Sequence, residues 1–164
     1  MSIHLDAAIG SRDGARPATA RWAAIPLRAI VGYGFMAHGW AKIAHGPQHF
    51  IDILHAIGIP AAPLMGWLTI VGELVGGAAV LAGAFIPLVS LPMIAILLVA
   101  IITVHLPNGF SSIKLQGFDA GGAHFGQPGY ETDLLYLAGI FALVLGGPGP
   151  LSIDRWLRRR AANG

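Results

Sequence analysis

Ionisable side chains interrupt two long apolar runs of the chain at positions where they could form one polar site. Glu73 lies near the middle of one run, and Arg28, His38 and Lys42 lie in the run before it. A charge inside a membrane-spanning helix is costly and therefore faces a partner, a polar cavity or the interface. Carboxylate and imidazole groups held at such a depth can accept, donate or relay protons. We therefore take Glu73 and His38 as candidate catalytic residues, and Arg28 and Lys42 as candidate ligand-binding residues.

Helical geometry limits how these groups can pair. The first helix rises from the arginine-flanked side and the second returns, so a rise of about 1.5 Å per residue sets the depth of each side chain. On this count Glu73 lies deeper than His38 and Lys42 but shallower than Arg28, and any of the three could be its partner. His105, at the outer end of the third apolar run, could complete the rim of the pocket. The alternative is a purely structural ion-pair network that fixes helix register.

A second group of polar residues could suggest a metal site. His45, His49, Asp52 and His55 follow the first apolar run, and imidazoles with a carboxylate are a common ligand set. The Gly46-Pro47 pair separates His45 from the other three. Those three recur on one face of a short helix whose other face is apolar, which is typical of a helix lying at a membrane interface. We therefore predict no metal site here.

Composition indicates a membrane protein with short loops. Of the 164 residues, 55% are hydrophobic and 11% are charged, whereas soluble domains carry about 25% charged residues. The chain has no cysteine, which excludes disulfides and thiolate metal sites. Arginines precede the first apolar run and follow the last, so the positive-inside rule predicts an inner-membrane protein with both termini in the cytoplasm. We interpret these arginines as topology signals and expect no nucleic-acid partner.

The apolar runs and the Gly and Pro residues between them predict an all-α fold, a polytopic membrane four-helix bundle. Spanning helices are expected at about 22–43, 64–84, 88–106 and 130–145, with a short interfacial helix at 48–57 after the first. A flexible outer loop is expected at 107–129. The predicted organisation is a flexible cytoplasmic segment at 1–20, the membrane domain at 21–154 and a basic cytoplasmic tail at 155–164.

Short motifs in a characteristic order make the chain similar to the DoxX family of membrane proteins. They run from about Arg28 to Asp154: His38-Gly39-Trp40-Ala41-Lys42, Gly46-Pro47 to Phe50, Gly58-Ile59-Pro60, Glu73-Leu74-Val75-Gly76-Gly77, His105-Leu106-Pro107-Asn108-Gly109-Phe110, Tyr130-Glu131, Gly147-Pro148-Gly149 and Ser152-Ile153-Asp154. The resemblance implies a four-helix integral membrane fold, and it adds Asn108 and Glu131 to the candidate ligand-binding residues. The stretch 113–129 makes the outer loop longer than in a simple family pattern.

The resemblance also implies a class of function. Some members of the family are subunits of thiosulfate:quinone oxidoreductases, and others associate with enzymes of oxidative stress and sulfur chemistry. We therefore expect a membrane subunit of a redox system whose intramembrane pocket binds a quinone or another small substrate, with a protein partner or a second copy of the chain. Two alternatives stay open: a non-catalytic scaffold that recruits partner proteins, and a small-solute transporter.

Overall fold

The computed structural model describes residues 18–162, and it is a mostly helical bundle. A short 3₁₀ turn, Ala18–Ala23, leads directly into the first helix. The six helices are α1 (Ala24–Ala44), α2 (Pro47–Ala56), α3 (Ala62–Ala82), α4 (Ile86–Ala100), α5 (Glu131–Gly146) and α6 (Ile153–Ala162). The predicted segment at 1–20 lies largely outside the described residues.

The long helices α1, α3, α4 and α5 pack around one apolar core. Its buried side chains come from all four helices: Val31, Phe35, Val80, Ile86, Met93, Leu97, Leu137, Ile140 and Leu143. The bounds of α1, α3 and α5 match the predicted helices within about two residues, because Gly and Pro residues end each apolar run. The α-helical part of α4 ends at Ala100, six residues before the predicted end, and the chain continues from there in a π-helical turn, Ile101–His105. In the described part of the chain, two stretches are long and apolar enough to cross a bilayer, Ala62–Ala82 and Ile86–Asn108. Spanning by α1 and α5 stays a prediction.

Glycines allow α1 and α3 to touch along their backbones. A Cβ atom built on Gly32 would lie 2.7 Å from the carbonyl oxygen of Gly77, and one built on Gly77 would lie 2.6 Å from that of Gly32. No side chain fits at such distances, so both positions require glycine. Close approach of two helices through small residues is a common packing mode in membranes, and here it brings the polar groups of the two helices within reach of each other.

The short helix α2 packs against the beginning of α3. Ile51 and Leu54 are buried there, next to Ala62. A Cβ on Gly66 would lie 2.7 Å from Ile51 Cγ1. The polar side chains His49, Asp52 and His55 are outside this contact: Asp52 accepts a hydrogen bond from Gln48, and the two histidines are exposed. The helix is therefore amphipathic as predicted, and its place at the membrane interface stays a prediction.

The outer loop contains a β-hairpin that the sequence reasoning did not predict. Strands β1 (Leu115–Asp119) and β2 (Gly122–Phe125) pair antiparallel, with Gly122 at a positive φ of 117° that favours glycine. The expectation of an all-α fold is therefore wrong for this segment, and the flexibility of the outer loop stays a prediction. The strand side chains are mostly exposed, so no alternation of apolar and polar residues marks the strands in the sequence.

Candidate functional site

Lys42 and Glu73 form a close ion pair where α1 meets α3. The Lys42 ammonium donates to both carboxylate oxygens of Glu73, with Nζ–Oε1 and Nζ–Oε2 distances of 2.8 and 2.7 Å. Gly39 makes the contact possible, since a Cβ there would lie 3.1 Å from Glu73 Cβ. Of the three cationic partners that helix depth allowed, the structure therefore selects Lys42. The Glu73 side chain is 6% exposed and the Lys42 side chain 19%, so the lysine is the more accessible partner of the pair.

The ammonium group of Lys42 has donor capacity beyond Glu73. An ammonium carries three N–H donors, and the carboxylate takes two of them. The same nitrogen lies 4.9 Å from the centre of the Phe50 ring on α2, a distance at which a cation and an aromatic face attract each other. Lys42 is thus fixed from two sides and keeps one donor for a ligand.

A second charged pair joins the end of α4 to the start of α5. After Ala100 the α4 helix widens into a π-helical turn, Ile101–His105, a feature frequent at functional sites. His105 Nδ1 lies 2.5 Å from Oδ2 of Asp133. The Asp133 side chain is 10% exposed, and its contact with Nδ1 leaves the second ring nitrogen of His105 for other partners. Sequence reasoning did not single out Asp133.

A cavity of about 400 Å³ lies between the two pairs. Lys42, Glu73, His105 and Asp133 all line it, together with His38. Its other walls come from α1, α4, α5 and the outer loop: Phe35, Ile96, Leu97, Ala100, Pro128, Gly129, Thr132 and Tyr136. The predicted residues His38, Lys42, Glu73 and His105 are thus brought to one site. Its size falls in the range of small-molecule pockets, and it combines apolar walls with a few polar groups.

The rings of His38 and Tyr136 lie edge to face in the wall of this cavity. Their ring centres are 6.5 Å apart and nearly perpendicular, and Phe35 packs edge-on against the same tyrosine at 5.6 Å. Gly34 gives room to the phenol, since a Cβ there would overlap the Tyr136 hydroxyl oxygen. Tyr136 is a site residue that the sequence reasoning missed. Its helical position, three residues after Asp133, could have marked both as one inward face.

Arg28 is not part of this cavity. Its guanidinium donates five hydrogen bonds to backbone carbonyls at the opposite end of the bundle: Val80, Leu81, Pro148, Pro150 and Leu151. Two of these carbonyls belong to the last turn of α3, where a cation is favourable. Arg28 therefore ties the C-terminal segment to α1 and α3, and it does not pair with Glu73.

Asn108 and Glu131 lie at the rim, where they hold the outer loop over the cavity. The Asn108 amide donates to the carbonyl oxygens of Val104 and Pro128, each at 3.2 Å. A carboxylate oxygen of Glu131 accepts from the backbone N–H of Ser112 at 3.0 Å. Neither side chain lines the cavity, but Pro128 does. These two residues therefore shape the covering loop.

The histidines near the junction of α1 and α2 border an open groove. His45 and His49 both line it beside Phe50, and it shares His38 and Lys42 with the cavity. His45 Nδ1 lies 2.8 Å from the carbonyl oxygen of Ala41. Within residues 18–162, no three histidine or carboxylate side chains come together in the manner of a metal site.

Comparisons with known proteins point to one family. The model of the DoxX family matches residues 23–106, a range that contains Lys42, Glu73 and His105 but ends before Asp133 and Tyr136. An uncharacterised membrane protein of Mycobacterium tuberculosis is 35% identical over 141 residues, which cover 84% of this chain and 82% of that protein. No solved structure matches the chain.

Proposed function

The chain belongs to the DoxX family of membrane proteins, and from that premise we propose that it is a membrane subunit of a redox system. Its cavity holds a quinone or a similar small carbonyl compound. The observation that carries the proposal is the convergence of the Lys42–Glu73 pair, the His105–Asp133 pair and His38 on one space with apolar walls. Family membership alone gives the membrane setting, and the ligand class rests on this geometry.

Exposed apolar side chains support a four-span arrangement in which lipid surrounds α1, α3, α4 and α5. In the two most apolar stretches only 33% and 22% of the residues are buried inside the chain, far less than in a core helix of a soluble protein. The other two helices also expose large apolar residues, among them Tyr33 and Trp40 on α1 and Leu135 on α5. Arg28 holds the start of α1 and the C-terminal segment at one end, and the arginines there favour the cytoplasmic side.

The donors and acceptors of the cavity suit a quinone head group. Lys42 has a third N–H, His38 and His105 have ring nitrogens, and Tyr136 has a hydroxyl, so several groups could donate to a carbonyl oxygen. Phe35 and Leu97 provide apolar surface for the ring and the isoprenoid tail. A small number of polar groups on apolar walls is the usual composition of a ligand site.

The two ion pairs suit different tasks. A quinone that takes up two electrons also takes up two protons, so its site needs a group that exchanges protons with water. Glu73 is almost fully buried and held by both oxygens, which suits it to fix Lys42. His105 is more exposed and is oriented by Asp133, which suits it to act as proton donor. Electrons come from a protein partner or a soluble reductant, because the chain has no cysteine to hold an iron–sulfur cluster.

A variant with a larger side chain in the cavity wall tests this proposal. Ala100 lines the cavity, whereas Ala95 on the same helix is exposed on the outside. Ala100→Leu should displace the ligand, and Ala95→Leu is the matched control. We expect quinone to co-purify with the parent protein and with Ala95→Leu, and to fall about tenfold or more in Ala100→Leu, as a loss of about 1.4 kcal/mol in binding gives. Quinone is measured by solvent extraction and mass spectrometry of the purified proteins.

Three outcomes contradict the proposal. Equal quinone in Ala100→Leu and Ala95→Leu would place any bound quinone outside the cavity. A parent protein that carries a partner protein but no quinone would favour the scaffold alternative. Solute flux into liposomes that Ala100→Leu blocks, without quinone binding, would favour the transporter.

A further inference from the structure

The C-terminal helix α6 separates apolar and basic side chains. At 3.6 residues per turn, its large apolar residues fall on one side of the helix and three of its arginines fall on the other. The apolar residues are Ile153, Trp156 and Leu157, and the arginines are Arg155, Arg158 and Arg159. Within residues 18–162 the apolar side is not fully covered, since Trp156 is 50% exposed. It is open to lipid or to another molecule.

Hydrogen bonds fix the start of α6 at the turn between α3 and α4. The backbone N–H of Asp154 donates to the carbonyl oxygen of Gly83 at 3.1 Å, and the Asp154 carboxylate accepts from the backbone N–H of Phe85 at 2.8 Å. The two stretches that can cross a bilayer end at Ala82 and begin at Ile86. The turn between them therefore lies at a membrane surface, and α6 begins at that surface.

The charges of α6 select the kind of surface. In residues 18–162 the ion pairs join Lys42 to Glu73, His105 to Asp133 and His124 to Asp119, so no carboxylate of this region neutralises the α6 arginines. The guanidinium carbon of Arg160 lies 3.9 Å from the centre of the Trp156 ring. That contact places the Arg160 stem along the apolar side, as in side chains that extend towards a headgroup region.

We propose that α6 lies in the membrane interface and binds the head groups of anionic phospholipids through Arg155, Arg158 and Arg159. Its apolar side enters the boundary between head groups and acyl chains, and its basic side meets lipid phosphates. Basic amphipathic helices next to spanning segments bind anionic leaflets in this way. Lipid binding by α6 is independent of any ligand in the cavity, because α6 begins at the opposite end of the bundle.

Single cysteines in the cysteine-free chain test the position of the helix. Leu157→Cys lies on the apolar side and Ala162→Cys on the basic side, and each is labelled with an environment-sensitive fluorophore. The full-length protein is placed in nanodiscs of phosphatidylcholine with or without phosphatidylglycerol. We expect the label at 157 to shift to the blue and to be quenched by brominated lipid chains, more strongly with phosphatidylglycerol. The label at 162 should report water in both.

The arginines are tested on the Leu157→Cys background. Replacing Arg155, Arg158 and Arg159 with Gln should abolish the difference between the two lipid compositions, and added salt should weaken it in the parent. Lys114→Gln, a cation removed from the outer loop, is the control that keeps the difference. Equal water exposure of both labelled positions, or burial of position 157 that does not depend on phosphatidylglycerol, overturns the proposal. The proposal is also overturned if position 157 is buried only when it can be cross-linked to a second chain. That result would assign the apolar side of α6 to a protein contact.

Discussion

Removing the charge of Glu73 should destabilise the protein, and removing Lys42 as well should restore much of the loss. Glu73→Gln leaves the ammonium of Lys42 beside a neutral amide in a largely buried place. Loss of one partner of a buried ion pair costs about 3–5 kcal/mol. Because the Lys42 side chain is 19% exposed, we expect a loss at or just below the low end of this range, about 2–3 kcal/mol. For a chain of this length such a loss lowers Tm by about 5–10 °C.

A double-mutant cycle separates the pair from its surroundings. Lys42→Met should cost more than Glu73→Gln, because it leaves a carboxylate that is only 6% exposed without its cation. The double variant replaces the pair with uncharged groups of similar volume, a change that is often nearly neutral. We therefore expect most of the two single losses to be recovered, which corresponds to a coupling energy of about 5 kcal/mol. Tm is measured by the thermal unfolding of each purified variant in the same detergent.

Glu131→Gln is the control for Glu73→Gln. Glu131→Gln also removes a carboxylate that accepts a hydrogen bond, but at the rim, and should cost about 1 kcal/mol. If Glu73→Gln is as stable as the parent, or if the double variant is as unstable as the worse single variant, the ion pair does not hold α1 to α3 as described.

Three further perturbations have defined outcomes. Gly34→Ala forces a methyl group onto the neighbouring phenol and should cost about 1–3 kcal/mol, whereas Gly146→Ala, where a Cβ meets open space, should leave Tm unchanged; equal Tm values would contradict the packing. Arg28→Lys cannot replace five hydrogen bonds to carbonyls, so trypsin should cleave α6 faster than in the parent, and an unchanged rate would refute the clamp. The Gly121 N–H holds the pKa of Asp119 below its usual range, so this bond should stabilise the hairpin above about pH 4 and be lost as pH falls through the lowered pKa; a hydrogen-exchange protection factor of Gly121, taken relative to the intrinsic rate at each pH, that does not fall at low pH would count against it.

The sequence predicted the helices well because their signals are local. Apolar runs end at Gly and Pro, and Pro47 begins α2 as a proline at the first helical position should. The hairpin at 115–125 could not be predicted, since its exposed strands show no alternation of apolar and polar residues. Its signal is limited to the glycines of its turn, which are equally typical of irregular loops.

The sequence predicted only part of the site. The depth of a side chain in the membrane can be counted from the helix rise per residue, but the rotation of each helix about its own axis cannot. A count of residues places Glu73 at a depth between Arg28 and Lys42, and only the close approach of α1 and α3 at Gly39 selects Lys42 over Arg28. Asp133 was not predicted as a site residue, because a carboxylate in the first turn of a helix is already explained by its favourable interaction with the helix dipole. Its pairing with His105 depends on the π-helical turn of α4.

The most direct test of the proposed function is where a reactive quinone attaches. Membranes that contain the protein are irradiated with a photoactivatable quinone analogue, with and without excess natural quinone, and the labelled peptides are mapped by mass spectrometry. Labelling that excess quinone prevents should fall on the cavity segments of α1, α4 and α5, around His38, Ala100 and Tyr136. Labelling confined to lipid-facing residues such as Leu135, or labelling that excess quinone does not reduce, would contradict a quinone site in the cavity.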